Sequence, residues 1–153
     1  MSRLKKGAAA LVALAVTTVG AHEGLRLKAY RDAVGVPTIC YGETRGIRMG
    51  MVKTRPECDA MLLKGLDEFA DGIERCVPSI KAAPEPRYVA HLSLAYNIGT
   101  GAYCKSSVAR LANAGQVRAS CVAFTKWVKA GGRTLQGLVR RRNEEMAMCL
   151  KGL

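Results

Sequence analysis

Glu23, Asp32 and Thr38 are the residues of this 153-residue chain whose types and spacing could do chemistry. Eight residues separate Glu23 from Asp32, and five separate Asp32 from Thr38. Gly24 is a natural helix stop, so Glu23 is expected at the end of an N-terminal helix. Asp32 is expected in a turn ahead of a small sheet, and Thr38 on a strand. Two carboxylates from different elements can face each other across a gap, as inverting glycoside hydrolysis requires. One protonated carboxyl donates to the leaving oxygen, and one carboxylate, about 6.5–9.5 Å away, activates water on the opposite sugar face. A threonine hydroxyl beside the base can hold that water in line. Burial against apolar groups would favour the protonated form of Glu23, and solvation the ionised form of Asp32. Taken singly, the three residues have plainer readings as a surface charge, a turn former and a β-branched strand residue.

The elements that must position them follow from the local text. Gly35 to Met51 is glycine-punctuated and β-prone, predicting a short hairpin or small sheet. Thr54 and Glu57 are spaced as a capping box, and Leu62, Leu66, Phe69 and Ile73 continue at helical spacing to about Arg75. Pro78, Pro84 and Pro86 mark a connection. A helix is predicted from Arg87 to Ile98, stopped by Gly99 and Gly101. Ser106 or Ser107 can cap a short helix ending near Gly115. Val117, Cys121, Phe124 and Val128 mark another, stopped by Gly131-Gly132, and a last helix runs from Thr134 to Leu150. The predicted class is α+β, a small sheet-containing lobe and a helical lobe with a cleft between them, a common place for ligand sites.

Lys and Arg number 24 against 12 Asp and Glu, a net charge of +12 that calls for a polyanionic partner. Arg140-Arg141-Arg142 is the best evidence for nucleic acid, but the N-terminus argues against it. Arg3, Lys5 and Lys6 precede 15 uncharged residues, Gly7–Ala21, the design of an export signal. The run is shorter than the roughly 20 residues of a membrane-spanning helix and is built largely of Ala, Gly and Thr. Either it is cleaved after Ala21 or it stays as a weak anchor. Retention is expected, because cleavage would leave Glu23 on a fraying terminus. Export also suits the six cysteines, none in a zinc-ligand pattern. Fifteen pairings are possible. Cys40–Cys58, Cys76–Cys104 and Cys121–Cys149, near in sequence and joining neighbouring elements, form the expected set. No metal or cofactor is expected, and the domain is expected to be a monomer.

The segment Glu23–Thr44 resembles the phage-type lysozymes, glycoside hydrolase family 24, whose pattern is Glu, eight residues, Asp, five residues, Thr. The resemblance continues in Ala95-Tyr96-Asn97-Ile98-Gly99, in Trp127–Gly132 and in Gly137–Arg142. It implies a muramidase cutting between N-acetylmuramic acid and N-acetylglucosamine in peptidoglycan, with Glu23 as acid, Asp32 as base and Thr38 positioning water. It also implies substrate-groove roles for Asn97 and Ser107, and makes Arg141, with Arg142 as rival, the partner of the acid. Glu43 stands where the family often has a structural histidine, so any salt bridge of that histidine is not carried over. The N-terminus resembles the signal-anchor-release endolysins, which divides the chain into an anchor, 1–21, and a muramidase domain, 22–153. This likeness implies an exported protein tethered inactive to the inner membrane and then released to the periplasm. A secreted bacterial lysozyme and a non-catalytic peptidoglycan-binding module are the alternatives.

Overall fold

In a computed structural model describing residues 1–153, the N-terminal run forms a one-turn helix α1 (Arg3–Lys6) and helix α2 (Ala9–Glu23). Leu11, Ala15 and Val19 recur every fourth residue along α2 and are fully buried. Ala9, Ala10, Ala13, Thr17 and Ala21 face solvent, so the exposed side is small rather than greasy. Gly24 ends α2 at φ 78° and donates its N–H to the Gly20 carbonyl at 3.0 Å. A side chain there would be strained in this left-handed region.

The chain then enters an antiparallel hairpin of β1 (Arg26–Arg31) and β2 (Pro37–Cys40), with Tyr30 opposite Thr38 and Arg31 opposite Pro37. This corrects the expectation of a sheet beginning at Gly35. Asp32 lies in the hairpin's own turn, not ahead of the sheet. The reason is that 26–31 pairs with β2 across the Asp32 turn and is also bonded on its far side. Ala29 donates to the Met51 carbonyl at 2.9 Å and Lys53 to that of Leu27 at 2.8 Å, so residues 51–53 complete the strand's hydrogen bonding.

Helix α3 (Arg55–Cys76) opens with the predicted capping box of Thr54 and Glu57. Helix α4 (Glu85–Ile98) starts two residues earlier than expected, with Pro86 in its first turn. Gly99 does not end the helical region. Its N–H caps α4, and α5 (Thr100–Lys105) begins at once. Ser106, rather than Ser107, caps α6 (Ser107–Asn113) by accepting the Ala109 N–H at 3.1 Å. Helix α7 (Val117–Ala123) is shorter than expected, passing into a 3-10 turn at Phe124–Lys126. Gly131-Gly132 is the turn of a small hairpin, β3 (Lys129–Ala130) with β4 (Arg133–Thr134), rather than a helix stop. Helix α8 (Gln136–Leu150) closes the fold. Helix α4 lies centrally, packed on α2, α3 and α8. The architecture is the α+β arrangement expected.

The three disulfides join Cys40 to Cys58, Cys76 to Cys104 and Cys121 to Cys149, the pairing expected from the sequence. Each closes a loop that in the chain-entropy picture stabilises by about 3 kcal/mol. His91 is buried beside the last of them, its Nδ1 2.7 Å from the Tyr103 hydroxyl and its Nε2 3.7 Å from the Cys149 sulfur. Burial pushes its pKa down from 6.5 to about 3. Between those pH values the unfolded chain binds a proton that the folded chain refuses. The resulting destabilisation is absent above pH 6.5 and grows as pH falls toward 3, by up to about 1.4 kcal/mol per pH unit. Urea denaturation between pH 4 and 7 should therefore show a steeper acid loss in wild type than in His91→Gln.

Candidate active site

Glu23 occupies the last position of α2, about a quarter exposed, and its Oε1 accepts a hydrogen bond from Arg141 Nη1 at 2.9 Å. The surroundings of Glu23 are therefore ionic, a correction to the expected apolar burial. The physical reason is the buried cation that α8 presents at this point. Arg141 Nε also donates to Glu145 Oε1 at 3.1 Å, and its Nη2 reaches the Ser93 carbonyl at 3.3 Å. Glu145 is fully buried and accepts further bonds from Ser93 Oγ at 2.7 Å and Arg142 Nη2 at 3.2 Å. Arg142 Nε lies 2.9 Å from Glu145 Oε2, but neither atom has a hydrogen-bond partner, so this contact is electrostatic. Burial pushes the Glu145 carboxyl up and the Arg142 guanidinium down, each offset by the other's charge. Arg141 and Arg142 outnumber Glu145, and the Glu23 carboxyl gives Arg141 a further acceptor.

Asp32 is fixed by its turn. Its Oδ1 accepts the N–H groups of Val34 at 3.0 Å and Val36 at 2.9 Å, while its backbone N–H donates to the Val36 carbonyl at 3.0 Å. This Asx-type turn holds the carboxylate rigidly and leaves Oδ2 without a protein partner. Thr38, 3% exposed, donates its hydroxyl proton to the Val36 carbonyl at 2.8 Å. Its oxygen lone pairs stay available to accept from a water. Val36 thus orients both side chains, through its N–H and its carbonyl.

Asn97 is exposed near the end of α4, its Oδ1 held by Arg142 Nη2 at 2.8 Å, so its amide nitrogen is free to donate. Arg142 therefore serves Asn97 and Glu145, and Arg141 alone reaches Glu23. Ser107 stands apart at the start of α6, where its Oγ receives Lys126 Nζ at 3.5 Å, and it touches none of Glu23, Asp32 and Thr38. Glu43 stabilises the turn after β2. Its Oε2 accepts the Tyr41 N–H at 2.8 Å, and its backbone exchanges two 3.0 Å bonds with Ile39. Burial, with the nearby Glu23 charge, pushes the Glu43 carboxyl up. It lines a cleft of about 420 Å³ with Arg45, Lys64, Glu68, Phe69 and Tyr96. Sequence reasoning missed Ser93 and Glu145. The spacing of Arg141 and Glu145, four apart on one helix, was the available signal.

A family model described as phage lysozyme matches residues 20–145. The chain belongs to the phage lysozyme family. It is accordingly a hydrolase of the lysozyme class. It is 38% identical over 157 residues to the SAR-endolysin of Bacteriophage PS119, covering 99% of this chain and 92% of that one. It is 36% identical to the SAR-endolysin of Enterobacteria phage P21, with coverages of 95% and 90%. Among solved structures it is similar to a P22 lysozyme mutant, at TM-score 0.80 and 35% identity over 90% of this chain and 95% of that one. It is also similar to the active form of the P1 phage endolysin Lyz, at TM-score 0.76 and 26% identity over 95% of each chain.

The two arginines have separable tasks. Lysine at position 141 keeps the charge but cannot hold Glu23, Glu145 and Ser93 together. Arg141→Lys should lower kcat on peptidoglycan about 10- to 100-fold through misplacement of Glu23. Glu145→Ala, which strands two buried guanidiniums, should instead destabilise the fold by about 3–5 kcal/mol. Turnover assays and thermal melts of both variants check the division.

Proposed function

We propose that the chain is an endolysin cleaving the β-1,4 bond between N-acetylmuramic acid and N-acetylglucosamine of peptidoglycan, with inversion at the anomeric carbon. The observation that supports it best is that two carboxyls are held by different partners, each through one oxygen. Glu23 is anchored through one oxygen by Arg141, and Asp32 is anchored through one oxygen by its own turn, with Thr38 set by the same Val36. In this reading Glu23 gives its proton to the glycosidic oxygen. Asp32 Oδ2 takes a proton from a water that Thr38 holds in line with the anomeric carbon. The water oxygen bonds to that carbon as the leaving sugar departs with the proton from Glu23. Asn97 donates to the sugar from the cleft wall, Ser107 contacts the bound chain farther along, and Arg141 positions the acid. The enzyme acts as a monomer without metal or cofactor.

We further propose that residues 1–21 are a retained signal anchor and 22–153 the muramidase domain. The chain is held inactive at the inner membrane and then released into the periplasm. The names of the relatives from phages PS119 and P21 support this, as does the composition of α2. Fifteen helical residues extend about 22 Å, short of a hydrocarbon core of about 30 Å. No helix of the structure is long and apolar enough to cross a membrane. A span would draw on flanking residues and would be weakly held, which suits release. While α2 lies in the membrane, Glu23 is away from Arg141 and the site is incomplete.

Glu23→Gln and Asp32→Asn should each lower turnover at least about 100-fold with melting behaviour close to wild type. NMR of the first product should show the α-anomer, and an initial β-anomer would exclude inversion. Intact-mass measurement of active, released enzyme should find residues 1–21 present. A mature chain starting at His22 with full activity would exclude the retained anchor.

A further inference from the structure

Chain termini normally fray. Here Ser2 is 2% and Leu4 is 1% exposed, as buried as the centre of the core. The Arg3 backbone N–H donates to Glu74 Oε2 at 2.8 Å, and the same oxygen accepts the Tyr88 hydroxyl at 2.6 Å. The Arg3 guanidinium donates to the Ala83 carbonyl at 2.5 Å and lies over the Tyr88 ring, 5.1 Å from its centroid. Glu74 and Tyr88 are themselves 5% and 0% exposed. Ser2 caps α1 by accepting the Lys5 N–H at 3.0 Å. The elbow into α2 is closed so tightly that a Cβ on Gly7 would lie 2.7 Å from the Arg3 carbonyl oxygen. The tip is thus a shaped plug, and α3, α4 and the connection between them form its socket.

We propose that Glu74, Tyr88 and the Ala83 carbonyl form a receptor site for the chain's own N-terminal tip, whose seating latches the released enzyme against return to the membrane. The inference rests on the tether-and-release reading. A tethered chain keeps Arg3, Lys5 and Lys6 on the cytoplasmic side, so the socket on the exported domain is empty until release brings the tip across. Once seated, Arg3 is committed to Glu74 and Tyr88, and Leu4 is out of reach of lipid. The apolar face of α2 is then pinned at its far end as well as at Glu23. Re-insertion requires the plug to leave first.

The test compares full-length released enzyme with its Glu74→Gln and Leu4→Ser variants, neither of which touches the catalytic cleft. Amide hydrogen exchange reads the seat, and flotation with phosphatidylethanolamine–phosphatidylglycerol vesicles reads return to lipid. In wild type, residues 2–7 should be protected and the protein should stay in the aqueous phase. In both variants, tip protection should fall at least about tenfold while α3 and α4 remain protected, and the vesicle-bound fraction should rise several-fold. Tip protection unchanged in the variants overturns the receptor site. A loosened tip with no gain in vesicle binding overturns the latch. Tethering itself is judged separately, by whether wild-type chain fractionates with membranes before lysis.

Discussion

Two arginines and a glutamate buried side by side on α8 carry a surplus positive charge, and the structure depends on where that charge is answered. Removing a guanidinium from water costs several kcal/mol unless anions and hydrogen-bond acceptors replace the solvent. Glu145 and Ser93 supply part of the replacement, and the Glu23 carboxyl adds another acceptor, from a helix 118 residues away in sequence. The arrangement therefore couples a buried charge cluster to the docking of an entire N-terminal element. Packing of α2 on α4 puts the Glu23 carboxyl in place, and the carboxyl in turn gives a guanidinium beneath α2 its acceptor.

Much of the scaffold was legible because its determinants are local. The Thr54–Glu57 capping box and the stop at Gly24 each depend on a few neighbouring residues. The errors arose where a remote partner decides. Strand β1 pairs with β2 and is bonded along its other edge by residues 51–53, and no pattern within 26–31 announces those partners. Glycines 99 and 101 looked like a break, yet Gly99 at φ 92° lets one helix end and another start without a loop. The same division holds in the site. The spacing of Glu23, Asp32 and Thr38 suggested the chemistry, and the likeness to a family selected Arg141. Ser93 and Glu145, which hold that arginine, are visible only once α4 and α8 are packed together.

Helix α2 must suit water on one side and protein on the other without large apolar groups to spare. Its solution is to bury a narrow Leu11–Ala15–Val19 stripe and leave alanine and threonine outside. Gly20 brings the backbone against Tyr41, where a Cβ would come within 3.0 Å of the ring. Close approach here substitutes for side-chain bulk, so a modest sequence still packs densely.

The disulfides also divide the molecule mechanically. All three bridges lie between Cys40 and Cys149, so nothing covalent other than the backbone itself ties down the first 39 residues. Glu23, Asp32 and Thr38 all fall within that unlinked stretch. A force pulling on the N-terminus would strip α2 and then β1 from the body before it met a cross-link. The segment carrying these three residues would leave before any cross-link bore load.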